Sequence, residues 1–128
     1  MTAQAAVPVP SRLVVVIDDD PAVRNSLKFS LEVEGFTVRD YSSANELLRE
    51  ADIADAGCLV IDYHLPEMNG LEVLSRLRER RVAAPAILIT SHPSASVRQR
   101  AAAAGVSIVE KPLFGNALVE GIRNAFAE

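Results

Sequence analysis

The sequence predicts an α/β domain: a doubly wound, five-stranded parallel sheet with helices on both faces. Three observations carry this. Leu13 to Ile17 (LVVVI), Cys58 to Ile61 (CLVI) and Ala86 to Ile89 (AILI) are unbroken apolar runs, as expected of strands covered on both faces. Strand-like runs alternate with helix-period segments five times, which implies βαβ units. Ionisable or hydroxyl residues stand where strands one, three, four and five end: Asp18 and Asp19, Asp62, Thr90, and Lys111.

In chain order, Leu13 to Ile17 is strand one. Pro21 then opens a helix at the turn that best tolerates proline, with Asp20 as its cap. From Ala22 to Glu34 the residues Val23, Leu27, Leu31 and Glu34 fall at helical spacing, with Phe29 and Val33 beside that stripe, and Gly35 ends the helix. Thr37 to Tyr41 is strand two. Ser43 and Glu46 form a capping-box signature for a short helix through Leu47 and Leu48, followed by a loop from Asp52 to Gly57. Strand three stops at Asp62, and Pro66, Asn69 and Gly70 supply turn residues before a helix outlined by Leu71, Val73, Leu74 and Leu77. Strand four ends at Thr90, and the Ser91 to Ser94 loop leads into an alanine-rich helix ending at Gly105. Ser107 to Glu110 is a short fifth strand, and Leu118, Val119, Ile122 and Phe126 give the last helix its apolar face.

Composition narrows the function. At 128 residues the chain is one domain with enough length to bury a core, residues 12–128 after a loose lead-in over 1–11. A net charge of −4 leaves no basic footprint, so nucleic-acid binding by this chain alone is not expected. The single cysteine, Cys58, lies inside an apolar run, excludes an internal disulfide and suits a reducing compartment. No apolar stretch reaches the roughly 18 to 20 residues needed to span a bilayer, and the N-terminus lacks the features of a secretion signal. A cytoplasmic protein without a membrane partner is expected.

Right-handed crossovers in such a sheet bring the ends of strands one and three together at the switch point, and open α/β sheets place their chemistry there. Two or three carboxylates would then lie a few ångströms apart. Like charges that close raise one another's pKa, so a cation is called for. Carboxylate oxygens with room for water suit Mg²⁺ better than zinc, and Lys111 adds a second positive charge. A carboxylate beside Mg²⁺, a lysine and a hydroxyl is a plausible phosphoryl acceptor: it can act as a nucleophile toward phosphorus while metal and ammonium neutralise charge on the transferring group. No glycine-rich phosphate cradle follows strand one.

Asp18-Asp19 after strand one, Asp62 in DYHLPEMNG, Thr90 after strand four and Lys111-Pro112 after strand five together resemble the receiver domain of bacterial two-component response regulators, over about residues 12–127. The resemblance implies a flavodoxin-like fold with strand order 2-1-3-4-5 and five helices in three layers. It implies that Asp62 accepts a phosphoryl group from a histidine kinase or histidine phosphotransfer protein. Asp19 and Asp62 would hold Mg²⁺ with the backbone carbonyl of His64, Asp18 supporting, while Thr90 contacts and Lys111 pairs with the phosphoryl group. It also implies a cis bond before Pro112, no enzymatic activity beyond the domain's own phosphorylation and dephosphorylation, an output protein as second partner, and dimerisation through the face formed by helix four, strand five and helix five. The stretches Asp62 to Gly70 and Glu110 to Pro112 resemble receivers joined to helix-turn-helix DNA-binding domains; either a stand-alone receiver or part of a longer transcriptional regulator is expected.

Two positions depart from the family pattern. Ile108 stands where receivers usually carry a Tyr or Phe that swings inward with the threonine, and Gly105 to Lys111 is about one residue short, which predicts a rearranged entry to strand five. A branched aliphatic has few rotamers and no hydroxyl, so transmission to the output face, with Thr90 and Ile108 as switch positions, is the step these changes affect. Among other residues, His64 and His92 share loops at one end of the sheet, where ordinary loop histidines are favoured over a zinc site with Asp19. His64, two positions after Asp62, is placed to gate water. Arg76, Arg78, Arg80 and Arg81 read as a solvated helix end. Arg98 and Arg100 flank the output face, where plain surface charge is the favoured reading. Two rival functions are a Mg²⁺-dependent aspartyl phosphatase, which should carry a DxD-type motif directly after a strand together with a cap domain, and a phosphorylation-independent interaction module.

Overall fold

Parity decides where each strand residue goes. In the computed structural model, β1 (Leu13–Ile17), β2 (Thr37–Tyr41), β3 (Cys58–Asp62), β4 (Ala86–Thr90) and β5 (Ser107–Glu110) pair in parallel as one sheet of order β2-β1-β3-β4-β5. Successive side chains of a strand point to opposite faces. Leu13, Val15, Ile17, Leu59, Ile61, Ala86 and Leu88 therefore enter one core, and Val14, Val16, Cys58, Val60, Ile87 and Ile89 enter the other. Helices α1 (Pro21–Val33) and α5 (Ala117–Ala127) cover the second core, supplying Leu27, Leu31, Leu118 and Ile122. Helices α2 (Ala44–Arg49), α3 (Gly70–Glu79) and α4 (Ala95–Ala103) cover the first with Leu47, Val73, Leu74, Leu77, Val97 and Ala101. The three central strands are buried along their whole length, whereas edge strands β2 and β5 carry exposed positions.

The structure describes residues 12–49, 53–113 and 115–127. The lead-in expected over residues 1–11 lies outside them, as do residues 50–52, which hold the start of the Asp52 to Gly57 loop.

Helix ends follow local chemistry. Asp20 caps α1 by accepting from the Ala22 amide at 2.9 Å, and Pro21 is the first helical residue. Asn69 and Ser94 cap α3 and α4 in the same way, on Glu72 and Val97. At α2, the Glu46 amide donates to Ser43 Oγ as the signature predicts, but the returning Glu46 carboxylate takes the Ser42 amide instead of the Ser43 amide. The hydrogen bond to Ser42 holds the Glu46 carboxyl below its usual pKa.

Three helices stop alike. Gly35, Arg81 and Gly105 sit at φ of 98°, 65° and 72°. The next residue in each case, Phe36, Val82 or Val106, is buried and returns its amide to the carbonyl of Leu31, Leu77 or Ala101. That is the Schellman pattern with its hydrophobic contact. The stripe expected on α1 holds for Leu27 and Leu31, but Phe29 and Val33 are 71% and 68% exposed. Each lies two residues from Leu31, and at 3.6 residues per turn that offset points them to solvent. The short Gly105 to Lys111 segment leaves β5 in regular register, Ile87 opposite Ser107 through Thr90 opposite Glu110. Among the described residues, no helix is long and apolar enough to cross a membrane.

Candidate functional site

The sheet order makes β1 and β3 neighbours, with Ile17 opposite Ile61, so the residues that follow them meet at the carboxyl edge. Asp18 is fully buried and Asp62 is 3% exposed, while Asp19 faces solvent. One carboxylate oxygen from each lies within 4.8 Å of the others. Lys111 reaches them from the end of β5: its Nζ stands 3.3 Å from Asp18 Oδ2 and 3.4 Å from Asp62 Oδ2. The Lys111 amide donates to the Thr90 carbonyl at 2.8 Å, which fixes the lysine's height above the sheet, and the Lys111–Pro112 peptide bond is cis. Thr90 is buried at the end of β4, one residue beyond the one opposite Asp62. The structure thus brings together Asp18, Asp19, Asp62 and Lys111, with Thr90 on the adjoining strand end.

The loop after Asp62 is shaped around it. The His64 amide donates to Asp62 Oδ1 at 3.2 Å, and the Gly70 amide donates to the Tyr63 carbonyl. Gly70 is the first residue of α3 rather than a turn residue, and its role is close approach. A Cβ there would lie 2.7 Å from the Asp62 carbonyl oxygen and 2.8 Å from Leu88 Cδ1. The imidazoles of His64 and His92 are exposed, and the potential metal-ligand group among the described residues consists of Asp18, Asp19 and Asp62.

Electrostatics follow from burial. Loss of water and, second to it, the Asp18 charge push the Asp62 carboxyl up to about 6 against the opposing pull of Lys111. Burial by itself lowers the Lys111 pKa, but the two carboxylates outweigh it and leave the ammonium above its ordinary value. Asp18 Oδ1 accepts the Asp20 amide at 2.9 Å, whereas its buried Oδ2 has no hydrogen bond and faces the Lys111 ammonium. A buried carboxylate oxygen without a hydrogen bond, in an all-oxygen acidic group, fits a hard divalent cation such as Mg²⁺.

Some of the site was not found in the sequence. Arg24 of α1 donates to the Asp18 carbonyl oxygen at 2.8 Å and to Asp40 of β2 at 3.1 Å. Glu67 accepts the Ala44 amide at the start of α2. Neither contact has a local signal, because each partner depends on how distant segments pack.

A buried carboxylate at a strand end, flanked by two further acids, a lysine and a threonine on a 2-1-3-4-5 sheet, defines the receiver class of signalling domain. Residues 14–123 match the family model described as the response regulator receiver domain, and the chain belongs to that family. It is 36% identical over 111 residues to the transcriptional regulatory protein FixJ of Rhizobium meliloti, covering 86% of this chain and 54% of that protein. Among solved structures, FixJ-N superposes with a TM-score of 0.78 at 34% identity, covering 91% of this chain and 94% of that one. A CheY-like receiver domain protein from Methanospirillum hungatei JF-1 superposes with a TM-score of 0.81 at 28% identity, covering 91% and 94%. The chain spans about half the length of the curated relatives it matches.

Proposed function

We propose that Asp62 is the phosphoacceptor of a two-component relay, receiving the phosphoryl group from a histidine kinase or histidine phosphotransfer protein. The observation that carries this is the meeting of the Asp18, Asp19 and Asp62 carboxylates with Lys111 Nζ in one pocket. An Asp62 oxygen attacks phosphorus, an O–P bond forms, the N–P bond of the donor phosphohistidine breaks, and the leaving imidazole takes up a proton. Asp19, Asp62 and the His64 backbone carbonyl would hold Mg²⁺, with Asp18 supporting. The ion supplies positive charge against the phosphoryl oxygens. Lys111 supplies the second positive charge from the chain itself, and the Thr90 hydroxyl donates to a phosphoryl oxygen. Domain bounds of 12–128, a cytoplasmic setting, no catalysis beyond self-phosphorylation and its reversal, and no nucleic-acid or membrane contact by this chain belong to the same reading.

Output passes through Thr90 and Ile108. Ile108 is partly buried against the core that α4 also covers, so movement of Thr90 reaches the α4-β5-α5 face by repacking and not by rotation of an aromatic ring. That face is the one we assign to a second copy or to the output protein.

Incubation with a small phosphodonor and Mg²⁺, read by intact mass, tests the proposal. A stable gain of one phosphoryl group, absent in Asp62→Asn, is expected. Rapid turnover of donor without a stable adduct would point to an aspartyl phosphatase, and no reaction would point to an interaction module.

A further inference from the structure

We infer that Arg24 and Asp40 are a positioning pair that fixes Asp18, and through it the divalent-cation pocket; the inference rests on the metal reading proposed above. The main chain of Asp18 is held on both sides. Its amide donates to the Tyr41 carbonyl at 3.2 Å, and its carbonyl oxygen accepts Arg24 Nη1 at 2.8 Å. The other edge of the same guanidinium, Nε, is held by Asp40 Oδ2 at 3.1 Å. Asp40 lies on β2 opposite Val16, one residue before Tyr41, so both holds on Asp18 come from one stretch of β2, directly and through α1.

The arrangement has a consequence for the carboxylate. Once the backbone is fixed and Oδ1 is committed to the Asp20 amide, Oδ2 has one direction left, toward Lys111 and the acidic group. Both Arg24 and Asp40 are largely covered, at 17% and 26% side-chain exposure, so this is not a freely solvated surface pair. A guanidinium suits the place because its planar fork reaches two acceptors at fixed angles, which a lysine ammonium does not reproduce. Outer partners that orient a metal-ligating carboxylate typically alter metal affinity by about 10-fold to 100-fold when removed.

For Arg24, positioning and simple electrostatics predict opposite signs, which makes it the deciding position; for Asp40 both weaken the ion, so Asp40→Asn is judged by amide exchange and by the double variant. Removing a cation beside a divalent-ion pocket tightens the ion by Coulomb's law alone; removing a positioning cation loosens it. Mg²⁺ affinity is measured by calorimetric titration for the wild type, Arg24→Gln, Arg24→Lys, Asp40→Asn and the double variant Arg24→Gln/Asp40→Asn. Lys28→Gln, which removes the same charge from an exposed pair on the same helix, gives the Coulomb baseline. Amide exchange at Asp18 and Asp20 is followed in the ion-free protein.

Arg24→Gln and Asp40→Asn are each expected to weaken Mg²⁺ by about tenfold, with the double variant no worse than Arg24→Gln and Arg24→Lys in between. Amide exchange at Asp18 and Asp20 should quicken in both single variants, with unchanged exchange in β3 and β4. Arg24→Gln binding Mg²⁺ as tightly as Lys28→Gln would overturn the inference. If the wild type binds no Mg²⁺, the metal reading fails and the exchange data decide the pair alone: unchanged protection at Asp18 and Asp20 overturns it, and lost protection retains it as the support of Asp18.

Discussion

At the scale of single residues, Asp62 concentrates the tension of the site. Its carboxyl is lifted from 3.8 to about 6 by burial and by Asp18. A carboxyl whose folded pKa lies above its unfolded one favours folding while protonated. That contribution is present below about pH 4 and is lost as pH rises through about 6. Asp62→Asn removes the dependence, so the variant should be more stable than the ion-free wild type at neutral pH by on the order of 2 to 3 kcal/mol, with the gap closing toward pH 4. Denaturant titrations of both proteins between pH 4 and 7 check this; a gap that stays constant with pH would contradict it. The sequence made Asp62 legible, since an apolar run that stops at a carboxylate marks a strand end. It did not make Arg24 and Asp40 legible as a pair: they are 16 residues apart, and only the β1–β2 register turns Asp40 toward α1.

At the scale of elements, the shared helix ending separates what composition signals from what it hides. Gly35 and Gly105 announce their left-handed positions, and both helices were read to end there. Arg81 occupies the same conformation without glycine, so the reading of α3 as running out in charged residues missed a defined C-terminal cap. A side chain in that region costs roughly 1 kcal/mol that glycine does not incur. Arg81→Gly should therefore stabilise the domain by about 0.5 to 1 kcal/mol, and Gly105→Ala should destabilise it by about 1 kcal/mol, both measurable as shifts in denaturation midpoint at constant slope. The three central strands are legible within a residue because burial on both faces leaves them apolar almost throughout. Phe29 and Val33, beside the α1 stripe and two residues from Leu31, turn to solvent, an exposure that apolar character alone does not signal.

At the scale of the whole molecule, the pocket couples folding to its ligand. The three acids converge only when β1 and β3 are in register, so an ion that binds the pocket binds the native state alone. Linkage then gives about 2.7 kcal/mol at a Mg²⁺ concentration 100-fold above its dissociation constant. For a domain of this size that is a rise of on the order of 10 °C in melting temperature. Chelation should reverse it, and Asp19→Asn/Asp62→Asn should abolish it. A melting temperature indifferent to Mg²⁺ would remove the ion from the proposed chemistry. Family membership accounts for the fold and for the set of residues at the strand ends. Ile108 is partly buried against the core that α4 covers, and on the output route proposed above the step belongs to packing around α4 and not to a rotating ring.

Helix α4 buries only Val97 and Ala101, and its tie to β5 is the solvent-exposed Arg98–Glu110 ion pair. An exposed pair contributes at most about 1 kcal/mol, so the helix should open as a small cooperative unit before the sheet does. Its amides should exchange through a low-energy local excursion, and its segment should be nicked first in limited proteolysis. The same looseness gives a phosphorylation event of modest energy something it can displace.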